Sequence, residues 1–161
     1  LGFIFFIYQL YLIFKTKVRK QKDIYYRYIV FSVINFIIAL VLVCFYFVLS
    51  NDYLLFISGF IFLLGFLTPI ITAHLYKIIP FLVWFHRFSN LVGKQKVPML
   101  ADMVPVKSSD FGFAFYLLGF ILSLIAFIFS SDILFKSAVS FLFVGTSFIV
   151  KDVFYIINFK G

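Results

Sequence analysis

His74, Tyr76 and Lys77 lie within four residues of one another in the stretch ITAHLYKIIPFLVWFHRF, Ile71 to Phe88, and His86 follows twelve residues after His74. An imidazole where a helix leaves a bilayer can ligate haem iron or copper, or relay protons. His74 is therefore the candidate cofactor-binding residue, with haem as the group it would hold. The plainer alternative is an interfacial histidine bonded to water or a carbonyl. On a continuous helix the two imidazoles stand about 18 Å apart along the axis and about 120° around it, so they cannot share one metal.

Other polar groups could line a pathway. Thr68, Thr72 and Tyr76 share one helical face, with Lys77 beside them. Asn35 is the most polar group deep in any apolar run, and it needs a partner, because an unsatisfied amide in hydrocarbon costs several kcal/mol. Lys151 neighbours Asp152, but adjacent residues on a helix do not face one another. Lys151 falls on a stripe with Ser137, Ser140 and Ser147, which makes it the functional candidate of the two; a lysine snorkelling to the cytoplasmic face is the alternative. No set of residues marks a catalytic centre. The six aspartates are scattered over span ends and loops and there is no glutamate, so no metal site is expected. There is no P-loop, no G-x-S-x-G and no H-E-x-x-H.

The elements that must position these groups follow from composition. Of 161 residues, 65% are hydrophobic and 12% charged, and the mean hydropathy is +1.15. A soluble domain runs nearer half apolar and about a quarter charged, so the solvent for most of this chain is lipid. Apolar runs cover Leu1–Phe14, Ile24–Leu49, Tyr53–Ala73 with a continuation to Leu91, Phe111–Phe129 and Ile133–Asn158. The first is too short to cross, since 14 helical residues reach about 21 Å against a core of about 30 Å. The expectation is an all-α, polytopic transmembrane bundle of five spans, the first truncated, forming one domain over residues 1–161 that is the C-terminal portion of a larger protein. The runs are continuous rather than alternating, which excludes a transmembrane β-barrel.

Ser50-Asn51-Asp52 and Ser130-Ser131-Asp132 are short connections that predict tight helical hairpins, with residues suited to turns and N-caps. Lysine and arginine set the orientation. Thirteen of the 14 lie at or beside the first loop, the long third loop and the C-terminus, leaving Lys136 alone on the opposite side. That side is expected to be cytoplasmic, in a bacterial inner membrane. The net charge of +8 belongs to this pattern and not to nucleic-acid binding. Cys44 is the only cysteine, so no disulfide framework exists within the chain.

The third run is too long for one crossing. Tyr53 to Leu91 is 39 residues, about 58 Å as a helix. Pro69 and Pro80 interrupt it, and the expected solution is a crossing that ends near His74–Lys77, a bend at Pro80, and an interfacial helix. Trp84 and Arg87 would anchor that helix in the headgroup layer. Gly112, Tyr116, Gly119, Ser123, Ala126 and Ser130 form a small-residue face on the fourth span that suits close helix packing.

The words HLYKIIPFLVWFHRF and VGKQKVPMLADM, within Thr72 to Lys107, resemble a segment of bacterial polytopic membrane proteins that are distantly similar to haem-copper oxidase catalytic subunits and to membrane proteins of the nitric oxide response. The resemblance implies an all-helical bundle of about a dozen spans and a respiratory or nitric-oxide-related role. The His-Ala-His element and the other ligands of the oxidases have no counterpart here, where there are two histidines, so no ligand role carries over. Two other functions fit the residues. In a transporter or channel, Asn35, the serine stripe and the Pro69/Pro80 span would form a pathway. A non-catalytic scaffold or assembly subunit would need only packing faces and basic loops. The expected partners are the lipid bilayer and other membrane subunits.

Overall fold

The computed structural model describes residues 23–159 and, ahead of them, Gly2, Phe5, Tyr8, Gln9, Leu12 and Lys15, which are helical. The span expected over 1–14 lies otherwise outside the described residues. Among the described residues the regular structure is all helical, and four helical stretches are long and apolar enough to cross a membrane.

α1 runs Ile24–Leu49. Its start is fixed by Asp23, whose side chain accepts the Tyr26 N–H, an N-cap that satisfies a donor the first turn cannot. It ends at Ser50, which takes the left-handed conformation with φ of 49° and donates its N–H to the Tyr46 carbonyl. Asn51 then caps α2, Asp52–Phe60, by accepting the Tyr53 N–H. The second hairpin turn repeats this solution. Ser130 is left-handed with φ of 47°, and Ser131 accepts the Leu134 N–H at the head of α5, Asp132–Ile157. Each three-residue turn thus reverses the chain with one positive-φ serine and one side-chain cap.

α2 passes without a loop into a π-helical segment, Ile61–Leu67, and then into α3, Thr68–Phe88. Residues 52–91 therefore make one helical rod of 40 residues. Helical backbone continues through Pro80, where a bend into a separate element was expected. Lys77 pairs with Asp23, the residue that caps α1, at 2.8 Å. Residues 78–88 thus extend about 16 Å beyond the level where α1 begins. Ile78, Phe81, Leu82 and Phe85 form an exposed apolar line along that extension.

After a single 3₁₀ turn, Ser89–Leu91, and a positive-φ Gly93, the chain returns through the short 3₁₀ segment Leu100–Met103 to α4, Val106–Ile128. α4 begins five residues earlier than its apolar run, because Pro105 sets the N-cap and the polar turn Val-Lys-Ser-Ser-Asp is already helical.

Two antiparallel hairpins, α1 with the α2–π–α3 rod and α4 with α5, pack side by side. The second is the tighter. A Cβ added at Gly145 would meet the Tyr116 amide nitrogen at 2.6 Å, and one at Gly119 would meet the Leu142 amide nitrogen at 2.7 Å. The small-residue face of α4 is this contact: Gly112, Tyr116, Gly119, Ser123 and Ala126 are all buried, as close backbone approach requires. Between the hairpins, Phe31 of α1 stands edge-on to Phe113 and Phe120 of α4, with ring centroids 6.1 and 5.3 Å away. The outer surface is the reverse of a soluble protein's. Phe47, Val48, Ile133 and Phe143 are each more than 70% exposed.

Candidate functional site

Two polar places lie inside the helical assembly, and each is built by elements already described. The first is the π segment. Thr68 donates its N–H to the Leu63 carbonyl, five residues back, so the Leu64 carbonyl loses the partner it would have in an α-helix. The next residue along is Pro69, which has no N–H to offer. An orphaned backbone acceptor in an apolar setting is costly. It is satisfied from another helix: the Tyr116 hydroxyl donates to the Leu64 carbonyl at 2.6 Å.

The Thr68 hydroxyl stands beside that phenol and donates to the Leu63 carbonyl at 2.9 Å. Gly65 completes the arrangement. A Cβ there would meet Phe120 Cζ at 2.8 Å and Asn35 Cβ and Cγ at 2.9 Å, so α1 and α4 close on the widened turn and leave no gap. Asn35 itself, buried midway along α1, donates to the Phe31 carbonyl at 2.8 Å.

The second place lies toward the opposite end of the rod. Asp152 of α5 is completely buried, and its Oδ2 accepts the Tyr76 hydroxyl of α3 at 2.7 Å. Tyr76 stacks on Tyr28 of α1, with centroids 6.2 Å apart and rings inclined by 19°. Tyr28 is likewise fully buried, and its ring meets Phe113 of α4 edge-on at 4.9 Å. Two atoms here lack any hydrogen-bond partner: Asp152 Oδ1 and the Tyr28 hydroxyl oxygen. All four long helical elements therefore converge on a carboxyl and two phenols. Ile24, Ile29, Ala73, Ile149 and Ile156 supply the apolar surroundings.

The structure distributes the residues singled out from the sequence as follows. Tyr76 is in the Asp152 group, Thr68 and Asn35 adjoin the π segment, and Thr72 links the two along α3, buried and donating to the Thr68 carbonyl at 2.9 Å. His74 is on the exposed side of α3, with Nδ1 donating to the Ile70 carbonyl at 2.7 Å and its ring edge-on to Tyr25. His86 is exposed and bonded in the same way to the Leu82 carbonyl. Lys77 is exposed and occupied by Asp23.

Lys151 faces outward, its ammonium 5.4 Å from the Phe148 ring centroid, along with the exposed serines 137, 140 and 147. Each of those hydroxyls donates to the carbonyl four residues back. Trp84 is half-buried and donates to the Pro98 carbonyl at 2.9 Å, while Arg87 donates to the Phe159 carbonyl at 2.5 Å. Both residues thus hold other parts of the chain. Among the described residues, no group of three His, Cys, Asp or Glu side chains is close enough to hold a metal ion.

Asp152, passed over in favour of Lys151, was not among the expected site residues, and Tyr28 falls on the same stripe of α1 as Asn35. A signal for Asp152 is present in the sequence. Ala138, Gly145 and Asp152 recur at intervals of seven, and Ile149 and Ile156 fill the same face; all five are buried. That face, not the serine stripe, is the one α5 turns inward. Compared with known protein families, with curated proteins and with solved structures, the chain matches none.

Proposed function

We propose that the chain is a multi-pass component of a bacterial inner membrane, basic loops toward the cytoplasm, that forms part of an ion pathway of the transporter or channel class. The interrupted rod carries this reading. Near the middle of a span, backbone hydrogen bonding shifts register over seven residues, a proline follows, and the freed carbonyl is held by a side chain of another helix. Transporters build binding sites where helices are interrupted, because backbone groups released there can coordinate an ion, and the widened turn releases one such carbonyl. π segments are also frequent at functional positions. The close fit of Gly65 against Asn35 and Phe120 is what a closed pathway would require. The test is flux in liposomes containing the full-length protein, driven by a membrane potential and followed with proton- and sodium-sensitive dyes. Protein-dependent flux, changed about tenfold or more by Pro69→Ala while helicity is retained, is expected. Flux no greater than in protein-free liposomes would sink the ion-pathway reading and leave the scaffold.

A second reading is favoured by His74. Its Nδ1 is anchored on a backbone carbonyl, the device that orients an imidazole for a metal at its other nitrogen. The respiratory or nitric-oxide-related role would then rest on haem held by His74, supplying redox chemistry. A reduced-minus-oxidised optical spectrum of full-length protein from a haem-competent host, with metal analysis of the same sample, tests it. A Soret band lost in His74→Ala supports it, and folded protein free of iron overturns it.

A further inference from the structure

We propose that Asp152, Tyr76 and Tyr28 form a binding site for one small monovalent positive charge, a proton or a sodium ion, enclosed between α1, α3, α4 and α5. The carboxyl is wholly buried, and only one of its oxygens is bonded. Charged groups on the elements around it are engaged elsewhere or exposed, as Lys107 is at the head of α4. On α1, Arg27 is paired with Asp110 of α4 at 3.0 Å. On α3, Lys77 is paired with Asp23 and His74 points outward onto Ile70. On α5, Lys151 lies over the Phe148 ring. Among the described residues, two phenols face Asp152 and no cation does.

An ionised carboxyl without a counter-charge in such surroundings is unfavourable, and a bound positive charge would relieve it. A proton on Oδ1 would supply that charge, as would a sodium ion held between Oδ1 and neighbouring hydroxyl oxygens. The oxygens for the second case are present. Tyr28 contributes a buried hydroxyl with no partner. The antiparallel register of α4 on α5 adds another: the close approaches of Gly119 to Leu142 and of Gly145 to Tyr116, carried on toward Gly112 and Ile149, bring Ser109 level with Asp152. Ser109 is buried and spends its proton on the Val106 carbonyl, which leaves its oxygen free to coordinate. Hard oxygen donors suit a hard cation.

The inference does not rest on the transport reading, because binding would be seen in a protein that conducts nothing. The experiment is infrared difference spectroscopy of the full-length protein in lipid, perfused first between sodium-free and sodium-containing buffer at fixed pH, then between two pH values without sodium. A carboxyl band that responds to sodium, with an affinity lowered about tenfold in Tyr76→Phe through loss of the hydrogen bond to Oδ2, is the sodium outcome. A band that responds only to pH and changes frequency in Tyr76→Phe is the proton outcome. Tyr76→Phe keeps the carboxyl in place, so the test survives if Asp152→Asn does not fold; where Asp152→Asn does fold, the band must vanish. Spectra in which neither perfusion moves a carboxyl band sensitive to Tyr76→Phe would overturn the proposal.

Discussion

At the scale of single residues, the molecule places its polar side chains to complete what the backbone leaves unpaired. Tyr116 is the clearest instance, since its hydroxyl meets a carbonyl that Pro69 has deprived of a donor. Tyr116→Phe is expected to destabilise the folded protein by about 0.6–2 kcal/mol, the span measured for hydrogen bonds between membrane helices. Thermal unfolding in mild detergent measures it, and an unchanged midpoint would mean that the carbonyl finds another partner. The Tyr76–Asp152 bond makes a second case. A double-mutant cycle with Tyr76→Phe and Asp152→Asn should return a coupling of about 0.5–3 kcal/mol, as for contacting residues generally; additive effects would mean that the two side chains do not cooperate.

The sequence announces Tyr76 through its company, since it stands beside a histidine and a lysine. Asp152 is harder to see. With Lys151 and Asp152 adjacent, only the phase of α5 decides which is inside, and that phase is set by Gly145 fitting against Tyr116. Hydroxyls repeating along a helix suggest a polar wall, yet serines bonded to their own helix are tolerated on an outer face. Small residues repeating along a helix mark the contact more reliably.

At the scale of elements, apolar length alone recovers most boundaries. α1 is Ile24–Leu49 in both sequence and structure, and α5 differs by one residue at each end. The Ser-Asn-Asp and Ser-Ser-Asp turns are legible because their chemistry is local. The π segment is not, for Ile61–Leu67 contains nothing but apolar residues and Gly65. What forces the widening sits after it, in the Pro69 ring pressing toward the carbonyl four residues back, and what permits it comes from α1 and α4. Pro69→Ala restores an N–H to the rod. The penalty of Tyr116→Phe should then shrink in the Pro69→Ala background, by about 1 kcal/mol if the new donor takes over the carbonyl. Equal penalties in both backgrounds would refute the link between proline and phenol. For the α4–α5 contact, Gly145→Ala should cost about 1–3 kcal/mol, because the Cβ meets backbone that cannot yield. Gly59→Ala, where nothing lies within 4 Å, should cost nothing.

At the scale of the whole molecule, the distribution of charge predicts a sidedness that two cysteines can read. In a Cys44→Ser background, Lys94→Cys should react with a membrane-impermeant thiol reagent only from the cytoplasmic side, and Asn51→Cys only from the other. The opposite labelling pattern would reverse the orientation, and with it the side on which Asp152 lies nearer. On that face Arg27 with Asp110 ties the two hairpins and Lys77 with Asp23 ties α3 to the head of α1, and all four side chains are 38–53% exposed. Each should contribute no more than about 1 kcal/mol. Which hairpin rests on which was not legible in the sequence, because the aromatic contacts joining α1 to α4 are long-range and nonspecific in composition.

The rod from Asp52 to Leu91 has a mechanical consequence. Its π-helical stretch ends at Leu67, and the 21 residues of α3 that follow form an arm about 32 Å long. A tilt of about 10° at the widened turn would sweep the far end by about 5–6 Å over that length. The arm is fastened near its tip to the loop through Trp84 and to the C-terminal segment through Arg87. Any such pivot would therefore move loop, C-terminus and Tyr76 together, a gearing in which a rearrangement of one turn at mid-depth is felt at one face of the membrane.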